Sequence, residues 1–232
     1  MAFLPLAYKP APRDHLPMRI EIPLYPGFDE VDAIAPFEVL SNAEYSIEDL
    51  TVELVGAYGP GEVVAAHGAR FLCAEGLTGA ADLVLVPGGG WVRGGGVRDA
   101  YEDGRLAATL KTLHADGVAM ASVCTGALLL AQAGITDGRP ATTHRAALDA
   151  LEERGALVDR EARVVDDGDL LTCGGVTSGL DLAVHLVERE WGAELAGQIA
   201  RLMEHEPVGP IRVVQAPPTA APAASAPAPA TR

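Results

Sequence analysis

Four groups of residues in this chain have the types and spacing to do chemistry together. Cys124 closes the small apolar run 117–123 and is followed by Thr125, Gly126 and a helix-like stretch from Ala127 to Ala133. A thiol at such a strand-to-helix turn is lifted above a sheet. There, free backbone N–H groups and the positive end of the helix dipole stabilise a thiolate. Gly126 is expected to make the tight turn. A buried structural cysteine is the competing reading, because free cysteines are among the most buried residues. Pro87-Gly88-Gly89-Gly90 follows the apolar strand Ala81–Val86, and its backbone N–H groups could face a developing anion. A simple tight turn would use the same glycines. The run lacks both the Gly-Lys-Ser/Thr of a phosphate loop and the GxGxxG spacing of a dinucleotide site.

Asp32 lies just after the first strand, and in a parallel sheet the carboxyl ends of neighbouring strands open on one crevice. A carboxyl partly buried there has a raised pKa and can pass a proton to or from a reacting group. Spacing leaves Asp29, Glu30 and Glu38 as rivals. His144 ends Ala141-Thr142-Thr143-His144 and could orient the thiol, or serve as a structural hydrogen-bonder. His67, His114, His185 and His205 have no such context and read as surface or core fillers, and Cys73 and Cys173 as buried.

The elements that must position these groups alternate. Met18–Tyr25 reads as a strand, Asp29–Leu40 as a helix start with Pro36 near its N-terminus or at a kink, and Thr51–Tyr58 as a strand. Short strands are expected around Gly68, then strand 81–86, one helix over 99–115 and strand 117–121. Beyond the elbow come a short strand at 139–144, a helix at 146–154, and a hairpin joining 163–165 to 170–173. Helices at 180–191 and 193–204 complete the pattern. Such alternation predicts an α/β fold, with a mostly parallel sheet covered on both faces.

At 232 residues the chain is long enough for one domain with a full core. That domain is expected over 18–212, with a loose leader at 1–17 and a disordered Ala/Pro-rich tail at 213–232. The net charge of −15 argues against nucleic acid as a partner. Three cysteines without metal-ligand spacing fit a reducing cytoplasm and no metal. No run reaches a membrane-spanning length and the N-terminus lacks a signal-like core, so no membrane association is expected.

Taken together, these motifs resemble the ThiJ/PfpI superfamily, flavodoxin-like relatives of the class I glutamine amidotransferases. The resemblance spans Ile20 to about Glu204. It rests on Asp32-Ala33-Ile34-Ala35-Pro36, Pro87-Gly88-Gly89, Ser122-Val123-Cys124-Thr125-Gly126-Ala127, Ala141-Thr142-Thr143-His144 and the run Asp169–Asp181. Within the superfamily the motifs are most similar to isocyanide hydratases and to the amidase-like domains of some transcription regulators. The resemblance implies a flavodoxin-like three-layer sandwich carrying a cysteine nucleophile elbow. It implies Cys124 as nucleophile, Asp32 as acid/base, His144 in support, and the Gly88–Gly89 and Thr125 backbone as the anion-binding and substrate-binding groups. The reaction implied is hydration of an isocyanide to an N-substituted formamide, on a small-molecule substrate, without cofactor, in a homodimer. A non-catalytic or redox-sensing protein, or an enzyme for a glyoxal-type or amide substrate, are the alternatives. Isocyanide hydratases usually carry Asp-Leu-Thr-Gly-Pro where this chain has Ile34 and Ala35, which predicts a more apolar pocket floor. Arg145 stands where an aromatic commonly follows the histidine.

Overall fold

Parallel strands buried on both faces are near-continuous apolar runs, and the centre of this protein is built from them. The computed structural model describes residues 17–214. The expectations of a loose leader and a disordered tail otherwise fall outside the described residues. The central sheet holds β1 (Met18–Leu24), β2 (Leu50–Gly56), β5 (Leu83–Val86), β6 (Ala119–Ser122), β9 (Val164–Asp166), β10 (Leu170–Cys173) and β11 (Ile211–Val213). Their order is β11-β9-β10-β6-β5-β1-β2. Every pairing is parallel except that of β9 with β10, the expected hairpin. β11 was not expected as a strand, and its pairing runs one residue past the predicted boundary, to Val213. Two smaller ribbons lie outside this sheet: β3 (Gly61–Val64) with β4 (Arg70–Cys73), and β7 (Pro140–Ala141) with β8 (Leu157–Val158).

Helices cover the sheet in two groups. α1 (Glu30–Glu44), α6 (Ser178–Trp191) and α7 (Ala193–Leu202) pack on one another. The second group comprises α2 (Gly96–Asp103), α3 (Arg105–Ala115), α4 (Ala127–Gln132) and α5 (Leu148–Glu152). The single helix expected over 99–115 is two, because Gly104 adopts φ 76° and ends the first. Pro36 does not end α1; it lies buried inside the helix. It has no N–H for the carbonyl of Asp32 four residues back, so the ladder opens at the turn carrying that acid.

The chain passes from β1 to β2 on one side of the sheet and then to β5 on the other, a reversal that opens a crevice at the strands' carboxyl ends. β5 and β6 pair Val86 with Ser122, and β6 and β10 pair Ser122 with Thr172. The residues that follow these three therefore emerge at one height: Pro87-Gly88, Val123-Cys124 and Cys173-Gly174. Among the described residues no helix is long and apolar enough to cross a membrane.

Candidate active site

Cys124 follows β6 and opens a single 3-10 turn, Cys124–Gly126, before α4. The left-handed conformation falls on Cys124 itself, with φ 55°, and not on Gly126, whose φ is −55°. A non-glycine residue held there stores about 1–2 kcal/mol. Two hydrogen bonds fix it: Cys124 N–H donates to the Gly174 carbonyl at 2.9 Å, and Thr143 Oγ1 donates to the Cys124 carbonyl at 2.6 Å. Gly126 serves close packing instead of turn geometry, since a Cβ there would stand 2.4 Å from the Val86 carbonyl oxygen.

Asp32 sits in the first turn of α1, fully buried beside the Cys124 thiol. Its Oδ2 accepts the Gly88 N–H at 3.1 Å, while Oδ1 has no hydrogen-bond partner among the described residues. Burial pushes this carboxyl up to about 7, the Asp29 carboxylate adds to the rise, and the Cys124 thiol and Gly88 N–H oppose it. The thiol is pushed up as well, to about 12, chiefly by burial and then by the Asp32 charge. The N–H groups of Val176 and Thr125 and the Thr125 hydroxyl pull the other way without prevailing. Desolvation outweighs the free N–H groups that the helix start was expected to offer the thiol. The two groups act as a pair holding one proton between them.

The rival acids separate cleanly. Asp29 caps α1, accepting the Val31 N–H at 3.1 Å, Glu30 binds the β3–β4 turn, and Glu38 is exposed. Gly88 must lack a side chain, since a Cβ would lie 2.6 Å from Asp32 Oδ2 and 2.8 Å from Thr125 N. The Gly89 N–H, expected to be a free anion donor, is taken up by Thr125 Oγ1 at 3.0 Å, and that hydroxyl donates in turn to the Gly89 carbonyl at 2.7 Å. The Thr125 and Val176 N–H groups are the ones turned to the sulfur. Val176, at φ 41°, lies in the run Asp169–Asp181 but was not among the candidate site residues.

Over the thiol lies a cleft of about 370 Å³, lined on its apolar side by Ala66, Trp91, Val92, Ala147 and Val176. Gly89, Cys124, Thr125 and His144 also line it. His144 is not bonded to the thiol; it caps a short turn, its Nδ1 accepting the Ala146 N–H at 3.1 Å. Ile34 and Ala35 do not line the cleft, so the expected apolar floor comes from other residues. Arg145 lines an adjoining pocket of about 460 Å³. Asp29 and His67 complete the cleft, and His67, exposed at the surface as expected, stands at its rim. Its place could not be read locally, because the β3–β4 hairpin brings it there. Among the other histidines, His185 and His205 bind the buried carboxylates Asp166 and Asp181. Cys73 and Cys173 are buried and free, as expected.

Residues 18–189 match the DJ-1/PfpI family. An isonitrile hydratase of Pseudomonas putida is 32% identical over 83% of this chain and 81% of its own length. The Parkinson disease protein 7 homolog of Danio rerio is 28% identical over 75% of this chain and 89% of its own. A crystal structure of a ThiJ/PfpI family protein from Pseudomonas syringae superposes with TM-score 0.72 at 26% identity, covering 83% of this chain and 77% of that one. With its parallel sheet, its elbow cysteine and its facing acid in this order, the chain belongs to the DJ-1/PfpI family.

Proposed function

We propose that this protein hydrates an isocyanide to an N-substituted formamide, with Cys124 as nucleophile and Asp32 as its proton partner. The observation that carries the reading is the buried Cys124–Asp32 pair, whose carboxyl has a pKa of about 7 and an unpartnered oxygen. Such a pair can deliver a thiolate and a proton to the same carbon, which is what addition to an isocyanide requires. The Cys124 sulfur bonds to the terminal carbon, and that carbon takes the proton held between sulfur and Asp32. The product is a thioimidate, R–N=CH–S, beside an ionised Asp32. Water adds across the C=N bond, and collapse breaks C–S, releasing R–NH–CHO and restoring the pair. The mainly apolar wall of Ala66, Trp91, Val92 and Ala147 suits the substituent R. Likeness to an isonitrile hydratase over most of both chains supports the same reaction.

A redox-sensing role would draw on the same thiol without needing the apolar wall of the cleft, and turnover of an isocyanide separates the two readings. The test is loss of the N≡C stretch of a simple isocyanide, followed for wild type and Cys124→Ala. Formamide should form with wild type, and its rate should drop by about 10³-fold or more in the variant. Equal rates would remove Cys124 from the mechanism. An inert wild type whose Cys124 is still alkylated would assign the thiol to another small substrate.

A further inference from the structure

The hydration half of this reaction needs a base that can reach water from the open side of the cleft. Asp32 is fully buried behind the sulfur. On the open side, His67 Nδ1 lies 2.7 Å from Glu30 Oε2. An ionised carboxylate only accepts, so Nδ1 carries the proton and Nε2 keeps a free lone pair. The other carboxylate oxygen, Oε1, accepts the backbone N–H of His67 at 2.9 Å and of Ala69 at 3.4 Å, fixing the turn that bears the ring. The turn is itself tied to the β1–α1 loop, where Ala66 N–H donates to the Phe28 carbonyl at 2.8 Å. A carboxylate thus orients a histidine at the rim of a cleft whose wall includes the nucleophile.

We propose that His67 is the general base that brings water to the covalent intermediate on Cys124, with Glu30 as its positioning residue. This inference rests on Cys124 forming such an intermediate. In the isocyanide case the water oxygen bonds to the thioimidate carbon and its proton passes to His67 Nε2. The C=N electron pair moves to nitrogen, which takes that proton back from the imidazolium. The new hydroxyl then loses its proton to Asp32, C=O forms and C–S breaks. The departing thiolate takes that proton from Asp32, which restores the resting pair.

The charged groups facing His67 are Glu30 and Asp29, and both raise its pKa above the usual 6.5. Arg70 of the same hairpin is engaged by Glu62. Removing the Glu30 charge therefore lowers the pKa of His67 and moves any rising limb that it controls to lower pH.

The experiment compares wild type, His67→Asn and Glu30→Gln with two probes, a simple isocyanide and p-nitrophenyl acetate. The ester acetylates the sulfur with loss of nitrophenolate, and water must then displace the thiolate. We expect His67→Asn to load Cys124 at the wild-type rate and release product about 10²-fold more slowly, so that the adduct accumulates in the mass spectrum. Glu30→Gln should shift the rising limb of release towards lower pH. Release from His67→Asn at the wild-type rate, equal slowing of loading and release, or an unmoved limb in Glu30→Gln would each overturn the assignment. Isocyanide left untouched by wild type, with acetyl release still dependent on His67, would remove the hydratase reading and leave His67 in place.

Discussion

Two carboxyl groups lie equally deep in this protein and have opposite fates. Asp32 is 0% and Asp166 is 2% exposed. At Asp166 burial also pushes upward, but the His185 hydrogen bond, the Gly168 N–H and the Arg189 charge outweigh it, and the carboxyl falls below its ordinary range. His185 Nε2 stands at 2.8 Å, the Gly168 N–H at 2.9 Å and Arg189 at 3.1 Å. Asp32 has one N–H donor, a neighbouring thiol and an oxygen with no partner. The region of β9, β10 and α6 completes its buried charge, whereas the crevice above β1, β5 and β6 leaves its own incomplete. An incomplete carboxyl can exchange a proton near neutral pH, and a complete one holds structure together.

The difference is sharpest in pH dependence. A pKa of about 7 in the folded state, against an ordinary 3.8, means that the folded protein binds the extra proton between those values. Stability from Asp32 is therefore present below pH 4 and lost as pH rises through 7. Asp32→Asn removes this slope, and by pH 8 it should be more stable than wild type by up to about 4 kcal/mol in denaturant unfolding. Isocyanide turnover in that variant should fall by about 10²-fold or more. A variant less stable than wild type at pH 8 would mean that the carboxyl is satisfied after all.

Asp166→Ala tests the other side. It strands His185 and Arg189 beside an empty site and should lower stability by about 3 kcal/mol at pH 7, read by calorimetry. Because the folded-state pKa of Asp166 is lowered, its contribution is present above the ordinary carboxylate value and fades as pH falls below it. Both variants should thus diverge from wild type as pH rises and approach it in acid, with opposite signs: Asp32→Asn more stable and Asp166→Ala less stable.

The smallest effect concerns the elbow. Thr143→Val leaves the Cys124 carbonyl without its 2.6 Å donor and should lower stability by about 1–2 kcal/mol. Turnover should fall with it if that bond holds φ at 55°. Unchanged turnover would show that the Gly174 contact alone keeps the cysteine in place.

Much of the scaffold was legible. β5 is an unbroken apolar run and β10 is interrupted only by Thr172, as suits strands covered on both faces. The elbow, the glycine run and the first-turn acids could be placed at strand ends from the same pattern. Misses came where a single residue decided. Gly104 split a periodic helix, and buried Pro36 was held inside one by packing. β11 is only three residues long and all of them are exposed, so only its pairing with β9 reveals it.

Choosing among acids was beyond local pattern. Asp29, Glu30 and Asp32 share one helix start, yet one caps the helix, one orients His67 and one meets the thiol. Sequence alone determined most of the elements, that their sheet is mostly parallel, and that a thiol, a glycine run and an acid stand at strand ends. Tertiary structure decided which acid partners Cys124, that burial pushes the thiol's pKa up, and that His67 joins the cleft. A periodic pattern reports which face of an element is buried. A pKa depends on the dielectric and charges assembled around a group, and here part of them arrives from far along the chain: the Gly88 N–H reaches Asp32 from 56 residues away.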